Sequence, residues 1–130
     1  MDKVEYWVDI SDYDYDTAEA MFKTGRYLYV GFCCHQAMEK IFKAYYTLKL
    51  KETAPYTHNL AFLAKKSELW DFFSEEQIEF IEYLEPLNIK TRYPEYKEKI
   101  IKIMSKEKCE YVLIKTKELR EWTKLKLLKN

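Results

Sequence analysis

From residue 2 to residue 24, Val4, Trp7, Val8, Ser11, Tyr15, Ala18 and Phe22 recur at spacings of three and four, the period of a helix with one apolar face. Glu5, Asp9, Asp12, Asp16 and Glu19 keep the same spacing on another face and form an acidic stripe. Asp14 falls off that stripe, among positions of the apolar side, and is expected to be a partly buried carboxylate. Gly25 stops the helix where left-handed backbone suits glycine. The very short connection that follows predicts an antiparallel helical hairpin. From Tyr27 to Leu50, the positions Val30, Cys33, Cys34, Ala37, Met38, Ile41, Phe42, Ala44, Tyr45 and Leu48 cover roughly two thirds of a helical circumference. That makes this helix central. Its remaining side carries Gln36, Glu39, Lys40, Lys43 and Thr47, with His35 at the border beside Phe42.

Further on, Thr57 is a candidate N-cap for a third helix through His58, Leu60, Leu63 and Leu69. Ser74-Glu75-Glu76-Gln77 is a capping box before a fourth, with Ile78, Ile81 and Leu84 inside. Pro86 and Pro94 bracket a loop, because each restrains the residue before it to non-helical backbone. A short turn or helix near Tyr96–Met104 leads to Ser105, which can cap a last helix with Val112, Thr116, Leu119 and Trp122 inside. Five main helices are predicted, in one domain spanning residues 1–130.

Composition narrows the function classes. Lys+Arg and Asp+Glu number 22 each, so no net charge drives the chain onto nucleic acid or an anionic membrane. The distribution is uneven: residues 2–19 hold seven acids and one base, residues 99–130 ten bases and four acids. A nucleic-acid-binding tail would read this way, but so would terminal helices of opposite charge packed side by side. Cys33, Cys34 and Cys109 fit neither a disulfide framework nor zinc spacing, and read as small core residues in a reducing, cytoplasmic compartment. The acidic start MDKVEYWVDI lacks the basic and apolar pattern expected of a secretory signal, and no apolar run approaches the ~20 residues of a membrane span. No glycine-rich phosphate loop, nucleophile elbow, HExxH pair or aspartate cluster is present, so neither metal nor cofactor is expected.

Three places carry candidate chemistry. The row Gln36, Glu39, Lys40 and Lys43 is either the solvated edge of the central helix, with Glu39 and Lys43 as an i,i+4 pair, or one wall of a groove where an amide, a carboxylate and two ammonium groups meet a phosphate. His35 and His58 are the two imidazoles; each is a catalytic candidate if the fold brings it to Arg92, against a core role for His35 and support of a helix start for His58. Thr91-Arg92-Tyr93-Pro94 sets a permanent cation beside a phenol in a loop, suited to clamping a phosphate and stacking on a base, or to a structural clasp.

These pieces in this order resemble the HEPN family of small helical domains: Tyr6-Trp7 and Asp14, Gly25-Arg26-Tyr27, His35-Gln36-Ala37-Met38-Glu39-Lys40 with Lys43-Ala44, Thr57-His58-Asn59-Leu60, Thr91-Arg92-Tyr93-Pro94, and Glu118 to Trp122. The resemblance implies an all-α, four- to five-helix up-and-down bundle. It also implies a homodimer, often beside a minimal nucleotidyltransferase, acting in toxin–antitoxin or defence systems by cleaving RNA or binding a nucleotide. Nuclease-active members carry an arginine followed four to six residues later by histidine. Here Tyr93, Pro94, Glu95, Tyr96, Lys97, Glu98 and Lys99 follow Arg92, and no histidine occurs after His58. Three functions follow as expectations: a nucleotide- or RNA-binding subunit without that motif, with Arg92, Tyr93, Lys40 and Gln36 as binding groups; a metal-independent RNase with a non-standard Arg/His pair; and a non-enzymatic dimeric interaction module.

Overall fold

The computed structural model describes residues 2–88, 98–99, 102 and 104–129, and all secondary structure among them is helical. The hairpin of α1 (Lys3–Lys23) and α2 (Tyr27–Leu50) forms as the pattern predicts. Gly25 adopts φ +74°, and the Arg26 N–H donates to the Met21 carbonyl at 2.7 Å, closing the end of α1 with a left-handed residue. Asp2 caps the other end by accepting from the Glu5 N–H.

Two short elements separate the hairpin from the closing helix. α3 (Leu60–Lys66) is followed by a 3₁₀ turn, Leu69–Phe72, and α4 (Glu75–Leu84) by a second, Glu85–Leu87. The capping box at Ser74 and Gln77 is present in both directions. The start of α3 differs from expectation. Asn59, not Thr57, is its cap and accepts from the Phe62 N–H at 2.9 Å, while the Thr57 hydroxyl accepts from Asn59 one step earlier. The helix stops at Lys66 because Glu68 takes φ +67°, so Leu69 enters the core from the 3₁₀ turn. The closing helix, α5 (Lys106–Leu128), is capped by Ser105 as expected.

α2 runs through the middle, with Met38, Ile41, Phe42 and Tyr45 buried against Leu60 and Leu63 of α3, Ile81 and Leu84 of α4, and Val112 of α5. Gly31 lets the second 3₁₀ turn come close, since a Cβ there would meet Leu87 Cδ1 at 2.8 Å. An aromatic chain from Phe42 through Phe73 to Trp122, with centroids 5.9 and 5.3 Å apart, ties α2 and α5 to the segment before α4. The terminal helices pair by charge: Asp12 of α1 meets Arg120 and Lys124 of α5. The side-by-side reading of the charge asymmetry therefore holds there. The predicted element near Tyr96–Met104 lies mostly outside the described residues, as do Arg92 and Tyr93.

Candidate functional site

The polar row of α2 is not its solvent edge. Glu39 is 1% exposed and Lys43 7%, with His58 of the segment before α3 on the first and Trp7 of α1 beside the second. A buried carboxylate is tolerable only when paired and hydrogen-bonded. Glu39 Oε2 accepts from Lys43 Nζ at 3.1 Å and lies 4.0 Å from Lys40 Nζ, while Oε1 accepts from His58 Nδ1 at 2.7 Å. The Lys43 ammonium also sits 5.2 Å from the centre of the Trp7 ring, a second stabilising contact for a desolvated cation. His58 thus orients on Glu39 rather than supporting a helix start.

One turn earlier on α2 the row opens toward the surface. Lys40 Nζ donates to Gln36 Oε1 at 2.9 Å and to Asp14 Oδ2 at 3.3 Å, which confirms Asp14 as partly buried and gives it a partner. Gln36 in turn donates to Asn88 Oδ1 at 2.8 Å. Asn88 is buried, so this bond fixes the chain immediately before the segment that contains Arg92. His35 is wholly buried; its Nε2 donates to Glu85 Oε2 at 3.1 Å, and Glu85 Oε1 accepts the Leu60 N–H at 2.9 Å. Its Nδ1 has no partner among the described residues. The core role weighed for His35 is the one the structure gives.

Four groups of this cluster reach solvent, His58, Asp14, Lys40 and Gln36, and the first and third are the basic ones among them. The His58 side chain is 49% exposed and Lys40 17%, against 2% for Glu39, which holds His58, while Gln36 and Asp14 hold Lys40. Because a carboxylate only accepts, Glu39 fixes the His58 proton on Nδ1 and leaves Nε2 as the basic nitrogen of the neutral ring. Chemically, the edge offers an ammonium donor and an oriented imidazole.

A second polar cluster lies between α1, α2 and α5. Arg120 donates from Nε to Ser11 Oγ at 3.0 Å and pairs with Asp12, and Ser11 Oγ donates to the Ala37 carbonyl at 2.6 Å. Arg120 also lies 5.1 Å from the centre of the Tyr15 ring, whose hydroxyl donates to the Leu113 carbonyl at 3.0 Å. The cysteines offer no nucleophile: burial pushes the Cys34 thiol up to about 12 and those of Cys33 and Cys109 up to about 11. No group of three or more metal-ligating side chains occurs among the described residues. Two surface grooves lie elsewhere. One, of about 810 Å³, sits between the start of α1 and the ends of α2 and α5; the other, of about 530 Å³, lies between α4 and α5.

The family model for the HEPN domain matches residues 4–127, nearly the whole chain. The chain belongs to the HEPN domain family. None of the curated proteins compared matches it. Among solved structures, the HEPN fold seen here is similar to that of TT1696 from Thermus thermophilus, with a TM-score of 0.76 over 97% of this chain and 99% of that one. At 20% identity this likeness speaks for the fold. No helix among the described residues is long and apolar enough to cross a membrane.

Of the predicted HEPN site residues, Asp14, Gln36, Glu39, Lys40, Lys43 and His58 form one connected cluster, and His35 sits beside it on Glu85. Glu85 and Asn88 escaped the sequence reading. Each is a lone polar residue at a helix end next to a proline or an apolar pair, and neither is at a spacing that points back to α2.

Proposed function

We propose that this HEPN protein binds a nucleotide or RNA and works as a cytoplasmic homodimer beside a minimal nucleotidyltransferase in a toxin–antitoxin or defence-type pair, without the usual RNase motif. The observation that carries this reading is the cluster on α2, which holds the Lys40 ammonium between Gln36 and Asp14 and the His58 ring on buried Glu39, both at the surface. Preorganised donors lose little freedom when they take up an anion, which is what a phosphate site requires. An incoming phosphate would displace Asp14 from Lys40, and the Gln36–Asn88 bond would hold the chain leading to Arg92 and Tyr93. Titration of the purified protein with ATP, GTP and short RNA tests the proposal. Saturable binding that Lys40→Ala and Arg92→Ala weaken supports it; no binding at millimolar ligand, with both variants indistinguishable from the parent, overturns it.

One feature favours a second reading. His58 carries a carboxylate on Nδ1 and presents Nε2 at a half-exposed edge, the arrangement of a general base. It would be the histidine of a non-standard pair with Arg92 in a metal-independent RNase. Cleavage of labelled RNA that survives EDTA and disappears in both His58→Gln and Arg92→Ala would establish it, and intact RNA at high protein concentration would end it.

A further inference from the structure

The stretch from Glu68 to Glu85 holds seven acids, Glu68, Asp71, Glu75, Glu76, Glu79, Glu82 and Glu85, and no lysine or arginine. All but Glu85 are exposed. The stretch forms one side of the 530 Å³ groove between α4 and α5, whose walls are Phe72, Phe73, Phe80 and Trp122, with Glu76 and Glu118 at its edge. Phe72 is 56% exposed, a large apolar ring left uncovered. A phosphate backbone is repelled by this acidic side, so an RNA has no reason to lie here.

The rings already act as a cation platform. Lys126 Nζ lies 4.1 Å from the centre of the Phe72 ring and 5.3 Å from that of Trp122, and Lys65 Nζ lies 4.7 Å from that of the neighbouring Trp70. At the edge, a single ammonium from Lys115 serves both Glu76, at 2.5 Å, and Glu118, at 3.6 Å.

We propose that this groove docks a lysine- and arginine-rich segment of another protein. A basic side chain of the partner takes the place of Lys126 on Phe72 and Trp122, and its neighbours along the segment pair with Glu75, Glu76 and Glu79. Aromatic anchors inside a charged rim give both the contact area and the steering that such an interface uses. None of the groove residues belongs to the Glu39 cluster, so ligand and protein partner occupy different faces, and the docking surface stands whether or not a nucleotide binds.

The test uses the full-length chain and a short peptide of lysine and arginine residues, followed by tryptophan fluorescence and calorimetry. The double reversal Glu76→Lys/Glu79→Lys is expected to weaken binding at least about tenfold. Phe72→Ala, at a position that is 56% exposed, is expected to weaken it about threefold through loss of the ring. Lys126→Met removes the resident cation and is expected to tighten binding about threefold, while Lys117→Met, the same charge removed from another exposed position of α5, changes it by less than about twofold because of screening. Absent binding, or binding that none of these changes moves, overturns the proposal. So does a protein that self-associates through this face and falls apart on the double reversal, because the occupant is then a second copy of the chain. Short RNA displacing the peptide from the groove overturns it as well.

Discussion

Two polar clusters flank the central helix, and they are built from the same groups for different ends. Around Arg120, a guanidinium, a hydroxyl and a carboxylate tie α1, α2 and α5 together, and Arg120 itself is only 5% exposed. Around Glu39, a carboxylate is equally buried, yet two of its partners, Lys40 and His58, extend to solvent. The first cluster spends its donors on other parts of the bundle. The second keeps an ammonium and an imidazole at the surface beside a buried carboxylate. Burial of charge, even with partners that reach solvent, therefore does not by itself mark a functional site in this fold. What separates the clusters is the sign, since the reachable partner of buried Arg120 is the carboxylate of Asp12, 43% exposed, whereas those of buried Glu39 are Lys40 and His58.

The most damaging way to break this contrast is Glu39→Ala. It leaves Lys43 buried without its carboxylate and frees His58, and the cost expected for an uncompensated buried charge is about 3–4 kcal/mol, read as a lowered midpoint in urea unfolding. Arg120→Met strands the Ser11 and Asp12 contacts, but Asp12 is partly solvated, so a loss of about 2–3 kcal/mol is expected in the same measurement. Glu39→Ala should abolish ligand binding, whereas Arg120→Met should leave the affinity of the folded protein unchanged. Gly25→Ala touches neither cluster. Nothing lies within 4 Å of the added methyl, so its expected cost of about 1 kcal/mol comes from the left-handed backbone alone and calibrates the other two.

Alkaline pH probes the buried thiols and Tyr15, whose ring contacts Arg120. Burial raises Cys34 from its ordinary 9.0 to about 12 and Tyr15 from 10.0 to about 12. A group whose folded value lies above its unfolded one stabilises the fold fully below the unfolded value and loses that contribution as pH rises toward the folded one. Stability is therefore expected to hold up to about pH 9 and to fall from there to about 12. Cys34→Ala should make that fall shallower without moving its onset, as followed by circular dichroism, because Cys33 and Cys109 are raised from the same 9.0 to about 11.

Much of the bundle was legible in the chain, and the reasons are local. Gly25 signals its turn by the one conformation that it alone adopts cheaply, the Ser74–Gln77 box lies within four consecutive residues, and the spacing of apolar residues alone delimits α2. The burial of the Gln36–Lys43 row was not legible, because a helical wheel gives an angle and not what packs against it. Glu39 and Lys43 make the same i,i+4 contact whether wet or dry. What decides is contact with His58, Glu85 and Asn88, which are 19, 50 and 52 residues from their α2 partners, and no local pattern encodes such distances. His58 misled for the same reason: beside Thr57 it looks like part of a helix start, while its real partner is on another helix.

The contrast between the two clusters is tested most directly by calorimetric titration of ATP, GTP and short RNA into the parent protein, Lys40→Ala and Arg120→Met, under conditions where all three are folded. Saturable binding to the parent and to Arg120→Met, weakened by at least about tenfold in Lys40→Ala, is the expected result. Equal affinity in all three would contradict the account, and place any ligand away from the Glu39 cluster.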